Sequence, residues 1–189
     1  MKIFLWALPI IIMTHELGHL LIAKWCGCGV DKFSIGFGKP ALKIKFGETV
    51  YQITPWLLGG YCALRGEVEN SKDPKAFSNL SYGKKVAISL AGVAVNVIIG
   101  SIAMWLGIRL ELFPLWVFGY YNLAIGLCNL LPFPALDGSY PILMLGEKIF
   151  GKEKGIAIMN KLVTWGFIIV MALNILSIPL LVIYWNQIL

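Results

Sequence analysis

Charge and histidine are what this chain has least of. Only 14% of its 189 residues are charged and only two are histidine, against 58% hydrophobic. With a mean hydropathy of +0.77, so much apolar side chain has no place in one soluble core, which excludes an ordinary globular domain and implies an integral membrane protein in contact with a lipid bilayer. Four cysteines, Cys26, Cys28, Cys62 and Cys128, have no spacing that makes a disulfide framework. Cys26, Cys28 and Cys62 are open to a reading as thiol ligands, but are read first as small residues in a reducing compartment. Internal repeats, low-complexity tracts and any stretch long enough for a separate soluble domain are lacking, so residues 1–189 are expected to form one unit. The net charge of +6 does not point to nucleic acid. No basic helix carries interleaved aromatics, and the lysines flank apolar runs as membrane topology requires.

Four apolar segments are present, at about Ile3–Ala23, Val86–Leu110, Leu115–Leu131 and Leu162–Tyr184. Each approaches or exceeds the roughly 20 residues that cross a hydrocarbon layer. The expected fold is therefore a mainly α membrane protein with about four transmembrane helices, the last kinked near Pro179. Ten of the sixteen Lys and Arg lie between Lys24 and Lys85, and Lys148, Lys152, Lys154 and Lys161 lie between the last two segments. The positive-inside rule then puts both connections in the cytoplasm and both termini outside. A cleavable signal peptide is excluded as a reading of the first run, because cleavage would sever the motif described below.

The first connection is patterned. Leu42–Phe46 and Thr49–Ile53 read as two strands around a Gly47-Glu48 turn, a small membrane-associated β-hairpin between the first two spans. Pro55 to Tyr61 is apolar and glycine-bearing, so residues 26–66 are expected to hold a hairpin and a re-entrant stretch. Residues 67–83 read as an amphipathic connection, with a helix starting at Asp73-Pro74.

Inside the first apolar run stands Thr14-His15-Glu16-Leu17-Gly18-His19. Two histidines four apart share one helix face, about 6 Å apart along the axis, and can share one metal ion. Glu16 projects beside that face, from where it reaches water at the metal without being a ligand. Ionisable groups at this depth are expensive, and a metal accounts for them. A catalytic zinc site needs a third protein ligand. Asp137, in Asn129-Leu-Leu-Pro-Phe-Pro-Ala-Leu-Asp137-Gly138, follows the third span at the depth of His19. Pro132 and Pro134 stop an ordinary helix there, and delivering a carboxylate to a buried metal explains the break. The other reading is that Asp137 caps a helix running to Phe150. Glu111 faces the wrong side, and Glu147 and Glu153 read as solvated among lysines. Asn129, near the expected metal, is read as functional, whereas Asn96 is left open between function and helix packing.

His15-Glu16-Leu17-Gly18-His19 with Leu136-Asp137-Gly138 resembles the site-2 protease family of intramembrane zinc metalloproteases. Phe33 to Lys39, Leu58-Gly59-Gly60-Tyr61 and Asn129-Leu130-Leu131-Pro132 are similar to the bacterial branch that cleaves membrane-bound anti-sigma factors. That resemblance implies His15, His19 and Asp137 as zinc ligands and Glu16 as catalytic base. It also implies a membrane-reentrant β-element at Gly59, Gly60 and Tyr61, substrate support from Asn129, and a single-span transmembrane protein as substrate. The chain departs from the family pattern at Gly92-Val93 and at Ser139. Arg109 to Pro114 leaves no room for the PDZ domains found between the second and third spans of relatives, and no regulatory CBS domain is seen, so a minimal core is expected. Substrate is expected to be held by strand addition at an edge of the Leu42–Ile53 hairpin. Two other classes compete: a zinc-binding or zinc-transport membrane protein, which needs no glutamate beside the metal, and an inactive relative that binds spans without cutting. Oligomeric state is not legible.

Overall fold

The computed structural model describes residues 2–69 and 71–188, with side chains described from 7 to 172 apart from 58, 70, 148 and 171. The protein is mostly helical, with one small sheet. Helix α1 spans Lys2–Trp25, and Thr14 keeps its hydroxyl satisfied by donating to the carbonyls of Ile10 (3.1 Å) and Ile11 (3.0 Å). It stops where Gly27 takes φ +81°. Cys28 N–H then reaches back to Ala23 O (2.8 Å) and Gly27 N–H to Lys24 O (3.1 Å), a glycine-terminated closure that satisfies the last carbonyls.

Four strands follow: β1 (Val30–Phe37), β2 (Leu42–Phe46), β3 (Thr49–Ile53) and β4 (Trp56–Leu64). The sheet order is β2-β3-β1-β4, with β1 parallel to β3 and antiparallel to β4. The hairpin of β2 and β3 turns at Gly47 with φ +60°. The stretch expected to be re-entrant forms β4, and β1, a strand not foreseen, gives its backbone a partner from Val30↔Leu64 to Phe37↔Trp56. Register places Ser34 opposite Gln52. Both are buried, and Gln52 Nε2 donates to Ser34 Oγ (3.1 Å) and Tyr61 Oη (3.2 Å).

The helix expected at Asp73-Pro74 does not form. Asp73 Oδ1 accepts from Lys75 N–H (2.8 Å), and Arg65 Nη1 meets Asp73 Oδ2 (3.3 Å), so the carboxylate is used in a turn and an ion pair. Arg65 also pairs with Asp31 (2.9 Å) and Glu48 (3.1 Å), fastening the end of β4 to the start of β1 and to the hairpin turn. A single 3₁₀ turn, Phe77–Asn79, precedes α2 (Tyr82–Ser89).

The second expected span is broken. Helix α2 ends at Ser89 and α3 (Ala91–Arg109) begins after Leu90, whose φ of −94° and ψ of 0° turn the chain. Helix α4 (Phe113–Asn129) begins two residues before its expected start, because Pro114 sits in the first turn, where a missing N–H is not needed. Helices α3 and α4 pack closely through glycines: a Cβ on Gly100 would lie 2.9 Å from Gly119 O, and one on Gly107 would meet the Trp116 backbone. Then come a 3₁₀ turn at Asp137–Ser139, α5 (Tyr140–Leu143), α6 (Leu145–Phe150) and α7 (Lys152–Ile188). Glu147 is not solvated: its carboxylate meets Lys85 Nζ at 2.8 Å, their side chains 15% and 5% exposed.

Among the described residues two helical stretches, Ala7–Trp25 and Ala91–Arg109, are long and apolar enough to cross a membrane. Their outward faces expose Ile10, Leu21, Ile98, Ile102 and Trp105, as lipid contact demands. The span expected at Leu162–Tyr184 runs into residues whose side chains lie outside the described ones, as does the kink expected at Pro179. The packed core gathers Leu20, Val30, Phe33, Phe77, Ile88 and Met144 below the end of α1. That core holds the end of α1, the sheet and α2 together.

Candidate metal centre

His15 and His19 lie one turn apart on α1, ring centroids 5.0 Å apart and nearly perpendicular. Their Nε2 atoms are 3.4 Å apart. Asp137 Oδ2 lies 3.0 Å from His15 Nε2 and 3.4 Å from His19 Nε2. Tetrahedral zinc with bonds of about 2.0–2.1 Å separates its ligand atoms by roughly 3.3–3.4 Å. The three atoms thus outline one face of such a tetrahedron, with 3.0 Å as the short edge.

The hydrogen bonds agree with that outline. His19 Nδ1 lies 2.8 Å from Ile88 O; a carbonyl only accepts, so Nδ1 holds the proton and Nε2 presents its lone pair. The break between α2 and α3 explains why that carbonyl is turned toward His19. Asp137 Oδ2 is buried and accepts no hydrogen bond despite its two imidazole neighbours. With His15, like His19, protonated at Nδ1, three electron-rich atoms would converge in a buried place, an arrangement that suits a cation. Gly92 makes the room: a Cβ there would clash with His19 Nε2 and approach His15 Cε1 and Nε2 to 2.7 and 2.8 Å.

Asp137 arrives on a constrained path. The residue at the N-cap of its 3₁₀ turn is Leu136, which has no side chain able to cap it. Ala135 holds φ +84°, a conformation costly for a side-chain-bearing residue. A Cβ on Gly138 would run into the Leu130 carbonyl, and one on Gly166 of α7 into that of Pro134. The loop is pressed between α4 and α7, and that pressure sets where the carboxylate points.

Glu16 lines a cavity of about 330 Å³ with His19, Asp137, Gly60, Tyr61 and Glu67. Its carboxyl neighbours the backbone amide of Cys62. Gly60 is pressed close to α1, with a Cβ there 3.1 Å from Glu16 Cγ. Gly59 and Asn129 stand outside the cavity lining. A Cβ on Gly59 would face the Phe37 ring, which stacks on Tyr61 at 6.3 Å. The hairpin edge is remote: β2 lies three strands from β4, about 14 Å at normal spacing.

A model of peptidase family M50 matches residues 3–112. The chain belongs to this family. Peptidase family M50 includes the site-2 proteases, so the resemblance of the motifs is that of a member. The chain is 38% identical over 96 residues to a Clostridium acetobutylicum protein named as a candidate zinc metalloprotease, covering 51% of this chain and 28% of that one. It is 41% identical over 104 residues to a similarly named protein of Borreliella burgdorferi, with 49% and 24% covered. The regulator of sigma-E protease RseP of Escherichia coli is 40% identical over 109 residues, with 54% and 24% covered. The chain therefore spans about a quarter of the length of these relatives. In this family M50 chain the matched residues include His15, Glu16, His19 and Gly92, while Asp137 lies beyond them.

Two groups at the cavity escaped sequence reasoning. The Tyr140 hydroxyl hydrogen-bonds Glu67, whose carboxyl burial pushes up to about 7. Neither residue belongs to a recognisable motif, so no sequence signal pointed to them. Cys28 is pushed up to about 12 by burial, and burial raises Cys62 as well. Neither thiol joins a cluster of potential metal ligands among the described residues. Among the described residues only His15, His19 and Asp137 form a metal-competent group.

Proposed function

We propose that this chain is an intramembrane zinc metalloprotease, with His15, His19 and Asp137 holding Zn²⁺ and Glu16 acting as general base and then general acid. The observation that carries this reading is the 3.0–3.4 Å triangle of donor atoms beside a glutamate that opens onto a cavity. When bound, zinc supplies Lewis acidity that polarises a peptide carbonyl and lowers the pKa of water toward about 7.

The chain's own residues do the rest. Glu16, next to His15 but off the ligand face, takes the proton of the attacking water. It passes that proton to the leaving amine as the C–N bond breaks. Ile88 O and the helix break hold His19 in the tautomer that leaves Nε2 free. Wall residues limit water to the cavity, and Glu67 and Tyr140 form its polar side.

The substrate is a single-span transmembrane protein, cut in or near its span. A carbonyl inside an intact helix is shielded, so the segment must unwind and have its backbone satisfied at low dielectric. Strand β4 is suited to this. It pairs with β1 on one side only, and its Gly60 and Tyr61 line the cavity, so strand addition there brings an extended segment to Glu16. Substrate contact is assigned to Gly60 and Tyr61 before Gly59 and Asn129, which stand outside the lining. Residues 1–189 act as one catalytic unit with four spans at α1, α3, α4 and α7. The basic connections face the cytoplasm, both termini lie outside, and the site opens inward.

The test is Glu16→Gln in purified protein given a single-span substrate. Zinc should remain bound while cleavage stops. Full cleavage by this variant would remove Glu16 from its role, and zinc flux in vesicles without cleavage would favour a transporter.

A further inference from the structure

One ligand histidine has its outer partner and the other does not. His19 holds Ile88 O through Nδ1, whereas His15 Nδ1 is buried with no hydrogen-bond partner among the described residues. A metal-bound imidazole almost always donates its second ring N–H to an acceptor, which fixes ring and tautomer. Two more buried groups lack partners: both amide atoms of Asn96 on α3, and Oδ1 of Asn122 on α4. His15 is 7% exposed, and Asn96 and Asn122 are 0% exposed.

These groups sit on three helices, α1, α3 and α4, that pack on one another. Gly92, whose Cβ position faces the His15 ring, is one helical turn from Asn96. A Cβ on Gly126 would lie 3.1 Å from Asn96 Cβ, and Asn122 is one turn before Gly126. Asn122 Nδ2 already donates to Phe118 O at 2.9 Å. Each unpartnered acceptor can then be given a donor: His15 needs one acceptor, Asn96 offers its carbonyl oxygen and amide N–H groups, and Asn122 has one acceptor left.

We propose that Asn96 and Asn122 are positioning residues of the metal centre, linked as His15 Nδ1–H to Asn96 Oδ1 and Asn96 Nδ2–H to Asn122 Oδ1. Neither bond is made in the structure; rotation of the amides, or one water bridging each pair, would complete them. The chain ends on the Phe118 carbonyl, so the acceptors left bare at Asn96 and Asn122 and the His15 N–H all find a partner within the three helices. Its work is to hold His15 with Nδ1 protonated and Nε2 bare. Ordinary interhelical gluing by asparagine would leave the histidine unaffected, and this separates the two roles.

The inference rests on the zinc reading above, and the experiment tells the two apart. The chain has two histidines, so ¹⁵N-histidine labelling gives four ring-nitrogen signals. In metal-free wild type, His15 Nδ1 should carry a slowly exchanging, hydrogen-bonded proton, a measurement independent of zinc. Competition with a chelator should show Asn96→Leu weakening zinc binding about 10–100-fold. Asn96→Asp should keep or tighten it, since a carboxylate is the stronger acceptor, and Asn122→Leu should weaken it less than Asn96→Leu. A His15 Nδ1 without a hydrogen-bonded proton in the wild type overturns the proposal even if Asn96→Leu does not fold. Unchanged zinc affinity in a folded Asn96→Leu overturns it too. A wild type that binds no zinc but shows the bonded His15 proton rejects the metal reading and keeps the polar chain.

Discussion

Replacing Gly92 by alanine separates the metal centre from the fold that carries it. The added Cβ would stand 2.7 Å from His15 Cε1 and 2.8 Å from His15 Nε2, besides its clash with His19. Ordinary contact is about 3.5 Å, so an imidazole must move by roughly 0.7 Å. Metal–ligand distances hold to about ±0.2 Å, so at least one histidine bond is lost. A fall in zinc affinity of about 100-fold or more, near 3 kcal/mol, is expected. The helix itself responds with the opposite sign. With no metal the ring that moves gives up at most about one hydrogen bond, about 1 kcal/mol, and alanine in place of helical glycine offsets this by up to ~1 kcal/mol. The Gly92→Ala protein should therefore melt close to the metal-free wild type, yet release zinc to a chelator far more readily. Wild-type zinc affinity in this variant would refute the assignment of Gly92 as the space-maker and put the donor triangle in question.

Three other outcomes follow from buried groups. Lys85→Ala leaves Glu147 enclosed without its cation and should destabilise by about 3–5 kcal/mol, whereas pairing Lys85→Met with Glu147→Leu should recover most of it, read by thermal unfolding in detergent. Glu67 has its pKa raised to about 7 from a usual value of 4.5. The unfolded chain loses this proton first, so stability is full below about pH 4.5 and falls as pH rises through about 7, by at most about 3 kcal/mol. Glu67→Gln should flatten melting temperature across that window, and an unaltered slope would clear Glu67 of the effect. Gly60→Val should push β4 from Glu16, lowering cleavage with little change in zinc content, measured by product mapping and metal analysis.

Local chemistry was readable without coordinates. The i, i+4 histidines with Glu16 beside them follow from helix periodicity alone, and the β2–β3 hairpin follows from Gly47-Glu48 between two short apolar runs. The pairing of β1 with β4 was not readable, since a strand's partner is set by packing many residues away. The break at Leu90 escaped notice because the chain is largely apolar on both sides of it and hydropathy is blind to a bend. Glu147 looked solvated because its partner, Lys85, lies 62 residues away.

Two imidazoles on one turn and an acid next to them were determined by sequence, because a helix converts spacing into direction. What the tertiary structure alone decided is whether they meet a third donor. Asp137 reaches them only through the pressed Pro132 to Gly138 loop, the space left by Gly92, and the bend that turns Ile88 O toward His19. Such convergence depends on contacts between distant segments, which no local pattern encodes.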